Sequence, residues 1–406
     1  VEMFARGQFQ VDYEQRIDFT ALREGRISKT QKAMRDAGYD ALFLWRDENV
    51  RYLTSLRIIM LQFRSSTTYG AFLPAEGRPE LFLSSGELIR AREVMPWIGE
   101  FHPIPIMDEG GLVDRVIADK VRPVFEKYGV TGGRVAVDAM TFQQKQGYEK
   151  NLSGVEWVDG DSLMQLVRRI KLPGEIQVLQ EATALADAVT QTAIDAVRPG
   201  IRECEVAAAA VHTLFRLGGE FGHVASPFVA SGERMAPPAR FPSDKIIRYG
   251  DVVFIDIGAA WNGYFGDVGR TVICGRPSPE QKRIYTAVYE SLQAGIRAMK
   301  PGVRCSEVAA VFRSAGARHG LEEHFLNLFI GHGIGCAPAE SPFVGETMPG
   351  AEDVVLEKGM VLAMEPLIWE PGVRGGGGVR IEDMVMITDE GAEFMSRSPY
   401  DERLLD

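Results

Sequence analysis

Four acidic residues of this 406-residue chain stand where acids are costly. Asp256 and Asp267 interrupt DVVFIDIGAAWNGYFGDVGRT (251–271), Glu365 interrupts VLAMEPLI, and Glu382 interrupts GVRIEDMVMIT. Burying even a neutral polar group without a partner costs roughly 2–7 kcal/mol, and a charge costs more. Taken singly, each has an ordinary explanation: a hairpin aspartate, an edge-strand ion pair, or a carboxyl that stays protonated beside another. Taken together they need positive charge. His332, in FIGHGIG, adds an imidazole between two glycines that let the backbone come close to a site. A pair of divalent ions, bridged by carboxylates and completed by the imidazole, would remove the repulsion, and such hard donors suit Mn, Co, Zn or Fe(II).

Something must bring these segments together, and an internal repeat supplies it. VRPGIRECEVAAAA (197–210) matches MKPGVRCSEVAAVF (299–312) at a constant offset of 102, aligning Pro199 with Pro301 and Glu205 with Glu307. Each copy reads as helix, Pro-Gly break and second helix, followed by strands that carry two of the acids. Two equivalent halves about a pseudo-twofold axis would make the four carboxylates converge.

Ahead of the repeat, residues 1–170 alternate helix and strand signals. FTALREGRISKTQKAMRDAG is an amphipathic helix ending at Gly38, and YDALFLW, YGAFLPA, ELFLSS and RVAVDA are strands. Leu172-Pro173-Gly174 punctuates the chain, so the expected division is an α/β lobe over 1–170 and an α+β catalytic domain over 171–406. The formal charge of −11 speaks against nucleic acid as a partner, and no apolar run spans a bilayer. Cys204, Cys274, Cys305 and Cys336 show no paired spacing, which points to reduced thiols and a cytoplasmic setting.

The succession D256-IGAAWNGYFG-D267-VGRT, GH332GIG, ME365P and VRIE382D resembles the five-ligand pattern of the pita-bread metalloenzymes: methionine aminopeptidases, aminopeptidase P, prolidases and creatinases. NVRYLTSL (49–56) and VASG (229–232) agree with its creatinase, prolidase and aminopeptidase P branch, which carries an α/β lobe before the catalytic half. The resemblance implies two divalent metal ions (Mn, Zn, Co or Fe), with Asp256 bidentate to one, Asp267 and Glu382 bridging, and His332 and Glu365 serving the other. It places Thr271 beside these ligands and implies a homodimer.

Peptidases of that branch place one histidine after VASG and another in HExP, seven residues beyond the ligand histidine. Here Ala239 and Arg240 fall at the first, and GHGIGCAPAESP puts Ala339 at the second. Loss of one oxyanion donor typically costs about 10²–10³ in rate. The expected activity is therefore hydrolysis of a C–N, amide-like bond in a small carboxylated, non-peptide molecule. Glu365 would be the proton-shuttling base, His223 a donor, and Arg234 and Arg380 would grip the carboxylate. Three alternatives stand beside it: an Xaa-Pro peptidase, a lyase resembling dimethylsulfoniopropionate lyases, and a non-catalytic binding module. Those lyases carry an acid two residues after the first aspartate, where this chain has Gly258. VRGGGGVR (373–380) lacks the ending of a phosphate loop and reads as a flexible link between ligand strands.

Overall fold

The computed structural model describes residues 16–57, 68–105, 110–220, 222, 227–239, 241–326, 329–346 and 352–405. The chain divides into two compact units, Val1–Arg168 and Arg169–Asp406. Among the described residues no helix is long and apolar enough to cross a membrane.

The first unit opens with helix α1 (Phe19–Ala37), capped by Asp18, whose carboxylate accepts from the amides of Thr20 and Ala21. It ends at Gly38, whose φ of 69° closes the helix in the left-handed region. Six strands follow: β1 (Ala41–Leu44), β2 (Gly70–Pro74), β3 (Glu80–Ser84), β4 (Phe101–Ile104), β5 (Arg134–Val137) and β6 (Glu156–Asp159). They form a mixed sheet in the order β4-β3-β2-β1-β5-β6. Phe43, on the central strand, packs against Trp45, Phe82 and Phe125 with ring centroids 4.9, 5.3 and 5.6 Å away.

Glu80 is the costly residue of this unit, buried on β3. Its oxygens accept from Lys127 Nζ at 2.5 Å, Tyr128 Oη at 2.6 Å and His102 Nε2 at 2.7 Å. Glu80, Glu100 and His102 lie close enough to hold a cation, but Lys127, bonded to both glutamates, already fills that role.

The second unit begins with helices α2 (Pro173–Ala196) and α3 (Glu203–Arg216), and its later pair is α4 (Pro279–Ala298) and α5 (Cys305–Ala317). The repeat is visible atom by atom. Glu205 and Glu307 are the N3 residues of α3 and α5, accepting from the amides of Arg202 (3.0 Å) and Arg304 (2.8 Å). Gly200 and Gly302 turn the chain with φ of 92° and 90°. Their amides donate to the carbonyls of Ile247 and Leu356, both at 2.9 Å.

The strands repeat as well. In the first half, β7 (Phe228–Ser231), β8 (Val252–Asp256) and β11 (Gly269–Ile273) form a sheet, and β9 (Ala259–Trp261) with β10 (Tyr264–Gly266) makes a hairpin between the last two. The second half holds β12 (Gly331–Gly333), β13 (Glu340–Val344), β14 (Val361–Met364), the hairpin of β15 (Leu367–Trp369) and β16 (Gly378–Arg380), then β17 (Asp383–Ile387) and β18 (Ala392–Phe394). Behind them lies an apolar core that includes Phe254, Val288, Phe312, Leu362 and Val385.

Burial alone would raise the Glu80 carboxyl, but the hydrogen bonds from His102, Lys127 and Tyr128 outweigh it and hold it down at about 2. A folded-state value below the ordinary 4.5 contributes stability that is present above pH 4.5 and lost as the pH falls toward 2. We therefore expect Glu80→Gln to destabilise the first unit at pH 7. The deficit relative to wild type should shrink as urea unfolding is repeated from pH 5 down to pH 2.5.

Candidate metal centre

The four carboxylates occupy equivalent places in the two halves. Asp256 ends β8 and Glu365 directly follows β14; Asp267 lies between β10 and β11, and Glu382 between β16 and β17. The acids thus sit at strand ends or in the breaks beside them rather than in mid-strand. That is where a side chain can leave the apolar sheet. The halves meet where Gly269 and Glu382 pair across them, the amide of Glu382 donating to Gly269 O at 2.9 Å. Gly269 leaves room there, since a Cβ on it would stand 2.8 Å from Glu382 Oε2.

Asp256, Asp267, His332, Glu365 and Glu382 are all buried and all converge. Ligand atoms of Asp267, His332 and Glu382 lie within 4.8 Å of one another, as do those of Asp256, Glu365 and Glu382. The two groups share Glu382. His332 Nε2 is 3.3 Å from Glu365 Oε1 and 4.0 Å from Asp267 Oδ2. Its Nδ1 lies 2.9 Å from Gly333 O. A carbonyl can only accept, so Nδ1 carries a hydrogen and Nε2 is the ring atom turned toward the carboxylates.

The electrostatics are those of a cluster short of positive charge. Asp267 is pushed well above the usual carboxylate range by burial, then by the charges of Asp256 and Glu365. Glu382 is raised by burial, then by Asp267, Asp256 and Glu365. Glu382 Oε2 is buried without a hydrogen bond among the described residues. A carboxylate oxygen with no donor and a hard oxygen-and-nitrogen set fit a pair of divalent cations.

Arg380 stands inside the cluster. Its Nη1 is 2.9 Å from Asp256 Oδ2 and its Nη2 is 2.8 Å from Glu365 Oε2. Burial opposes its charge, but Glu365, Asp256 and Glu382 outweigh that and hold the guanidinium protonated. Thr271 Oγ1 donates to Arg380 O at 2.8 Å and accepts from Arg380 N at 3.1 Å, pinning β16 to β11. The other sequence candidates fare differently. Arg234 is held by Glu203 at 3.2 Å and donates to Phe241 O at 2.6 Å, so a substrate carboxylate would have to displace these partners. His223 and Arg240 are outside the described residues. Ala239 packs, half-buried, on the apolar core, Ala339 is exposed and Cys336 is buried.

The glycine run departs from the expected flexible link. A Cβ at Gly375 would stand 2.0 Å from Gly250 O, at Gly376 2.3 Å from Gly232 O, and at Gly378 1.8 Å from Met235 O. Backbone is pressed on backbone throughout, which only glycine permits.

Two supporting ion pairs could not be paired from the sequence, although Glu340 keeps the acidic position of the HExP frame. Lys171 and Glu340, each with a side chain 1% exposed, form an ion pair at 2.8 Å, and Glu340 lies opposite Gly333, next to His332. Arg270, buried beside the ligands, donates from Nη1 to Gly269 O and Glu382 O, at 2.8 and 2.6 Å. Its Nη2 reaches Asp383 Oδ1 and Ser398 O, both at 2.7 Å.

Residues 177–389 match the description Metallopeptidase family M24, and residues 26–170 match the Creatinase/Prolidase N-terminal domain. The chain belongs to metallopeptidase family M24. It is similar to an Xaa-Pro dipeptidase of Pyrococcus furiosus, 33% identical over 64% of this chain and 72% of the relative. It is also similar to the uncharacterized peptidase YqhT of Bacillus subtilis, 30% identical over 92% of this chain and 98% of the relative. Among solved structures, an Xaa-Pro dipeptidase from Bacillus anthracis superposes with a TM-score of 0.78 at 28% identity, covering 93% of this chain and 99% of that one. The prolidase of Pyrococcus horikoshii gives 0.77 at 26% identity, covering 93% and 99%. The M24 chain is thus a metal-dependent hydrolase of the creatinase/prolidase type, with the pita-bread catalytic fold behind an α/β lobe.

Removing Arg270 would leave Asp383 buried without its ion-pair partner, and breaking such a pair costs about 3–5 kcal/mol. Arg270→Met should therefore lower the urea-unfolding free energy by about that amount. Arg270→Lys should recover only part of it, because a point charge cannot reproduce the fork.

Proposed function

We propose that this chain is a dinuclear metal-dependent dipeptidase acting on Xaa-Pro substrates. The observation that carries the reading is the pair of three-residue donor groups sharing Glu382, within a chain of family M24. The dipeptidase names of the relatives support the substrate, and Gly258 in place of an acid speaks against the lyase. All five candidate ligands being retained speaks against a silent binding module.

Asp256, Asp267, His332, Glu365 and Glu382 would hold the ions, Glu382 being common to both donor groups. When bound, divalent ions would polarise the scissile carbonyl and acidify water at neutral pH. Glu365 would take the proton from the attacking water and pass it to the departing nitrogen. Arg380 would hold Asp256 and Glu365 in place, its two terminal nitrogens each committed to one carboxylate. With alanine at 239 and 339, neither position offers an imidazole to the developing oxyanion.

The working boundaries are 1–170 for the amino-terminal domain and 171–406 for the catalytic domain, close to the division into compact units. Manganese is the working metal and a homodimer the working assembly, both following from the family resemblance. Four cysteines free of disulfides support a reducing, cytoplasmic setting.

Elemental analysis of the purified, metal-supplemented chain is expected to show two divalent ions per chain and hydrolysis of an Xaa-Pro dipeptide that chelator abolishes. Asp267→Ala should lose metal and at least about 100-fold in rate together. Full metal content in that variant would remove Asp267 from the ligand set, and inertness of the loaded wild type toward every Xaa-Pro dipeptide would refute the substrate assignment.

A further inference from the structure

The site has an aromatic wall on one side. His332 and Phe343 are direct partners across the β12-β13 ladder, so their side chains project from the same face. That face is the one on which His332 Nε2 meets Glu365 and Asp267. Phe329 lies over the His332 ring, with centroids 5.3 Å apart and planes 24° apart. Phe343 continues the series at 6.1 Å from Phe329, inclined by 44°.

Burial grades outward along the same line. His332 is buried, Phe329 half-buried and Phe343 54% exposed. The neighbours of these phenylalanines, Ile330 and Val344, fill the apolar core at 0% and 1% exposure. Phe343 therefore does not stand outside for want of a core to enter. A large ring left in water beside a buried charged cluster is surface that gains free energy when covered.

We infer that Phe329 and Phe343 form the subsite for the side chain of the Xaa residue and select apolar, preferably aromatic, Xaa. The inference rests on the dipeptidase reading above. Solvent exposure at Phe343 identifies which residue of the dipeptide it receives. A constant five-membered proline ring calls for an enclosed pocket, whereas a wall open at its outer end accepts side chains of different length while rewarding apolar contact. The gain from such contact is of the size that hydrophobic pockets deliver between homologous substrates, about 10-fold or more.

The test compares kcat/KM of the manganese-loaded enzyme for Phe-Pro, Gly-Pro and Phe-Ala, with calorimetric binding of phenylalanine and glycine as a readout free of turnover. Wild type should prefer Phe-Pro to Gly-Pro by about 10-fold or more, and Phe343→Ala should reduce that ratio about 10-fold, with Phe343→Leu between. Phenylalanine should bind tighter than glycine, by a margin that narrows in Phe343→Ala. A Phe-Pro to Gly-Pro ratio indifferent to residue 343 overturns the subsite while leaving the dipeptidase reading intact. A shift in the Phe-Pro to Phe-Ala ratio alone also overturns it, by assigning the wall to proline. Failure of wild type to cleave any of the three overturns the dipeptidase reading and the subsite with it.

Discussion

Mutual repulsion among buried carboxylates is the constraint around which this molecule is organised. Asp256, Asp267, Glu365 and Glu382 lie in a region from which water is largely excluded, where like charges interact far more strongly than at a surface. The fold tolerates them because two kinds of cation can serve the site: Arg380, covalently part of the chain, and divalent metal. Arg380 grips one carboxylate from each half, Asp256 and Glu365. It thereby ties the halves together on the charged side of the sheets, while Phe254, Leu362 and their neighbours tie them on the apolar side.

Duplication makes such convergence geometrically cheap. One helix-pair and hairpin unit need only present an acid at the end of a strand and another after a hairpin; symmetry then supplies the opposing pair. The departures from symmetry are where chemistry enters. The second half adds β13 and β18; β12, the counterpart of β7, carries His332, and β13 brings Phe343 opposite it. The partners of the ligand residues are likewise unequal, since Arg380 and Arg270 reach across to the opposite half, and Asp383 and Ser398 hold Arg270 in turn.

What could be read from the sequence followed from chemical incongruity and from periodicity. The five candidate ligands were legible because acids amid Val, Ile and Phe demand an explanation, and the repeat because Glu205 and Glu307 cap equivalent helices. Arg380 was legible as a site residue, but not its partners, because Asp256 lies 124 positions away. The pairing of Lys171 with Glu340 left no local trace for the same reason, the two being separated by 169 positions. β4 and β6 escaped notice because they are edge strands: FHPI contains a proline, and EWVD is charged at both ends, as edges tolerate. The glycine run was misread because local composition reports conformational freedom, whereas packing decides whether that freedom is used.

That run has a broader implication. Where Gly375, Gly376 and Gly378 abut the main chain of residues 232, 235 and 250, the seam is built largely from peptide groups, and the side-chain amide of Gln281 clasps it by donating to the carbonyls of Gly250, Arg374 and Gly376. The side chains of Glu233 and Arg234 take no part in that close approach, which holds the strand that delivers Arg380. The alignment of the charged centre is thereby fixed by main-chain contact, and any side chain at these three glycines would push the strand that bears Arg380 out of register.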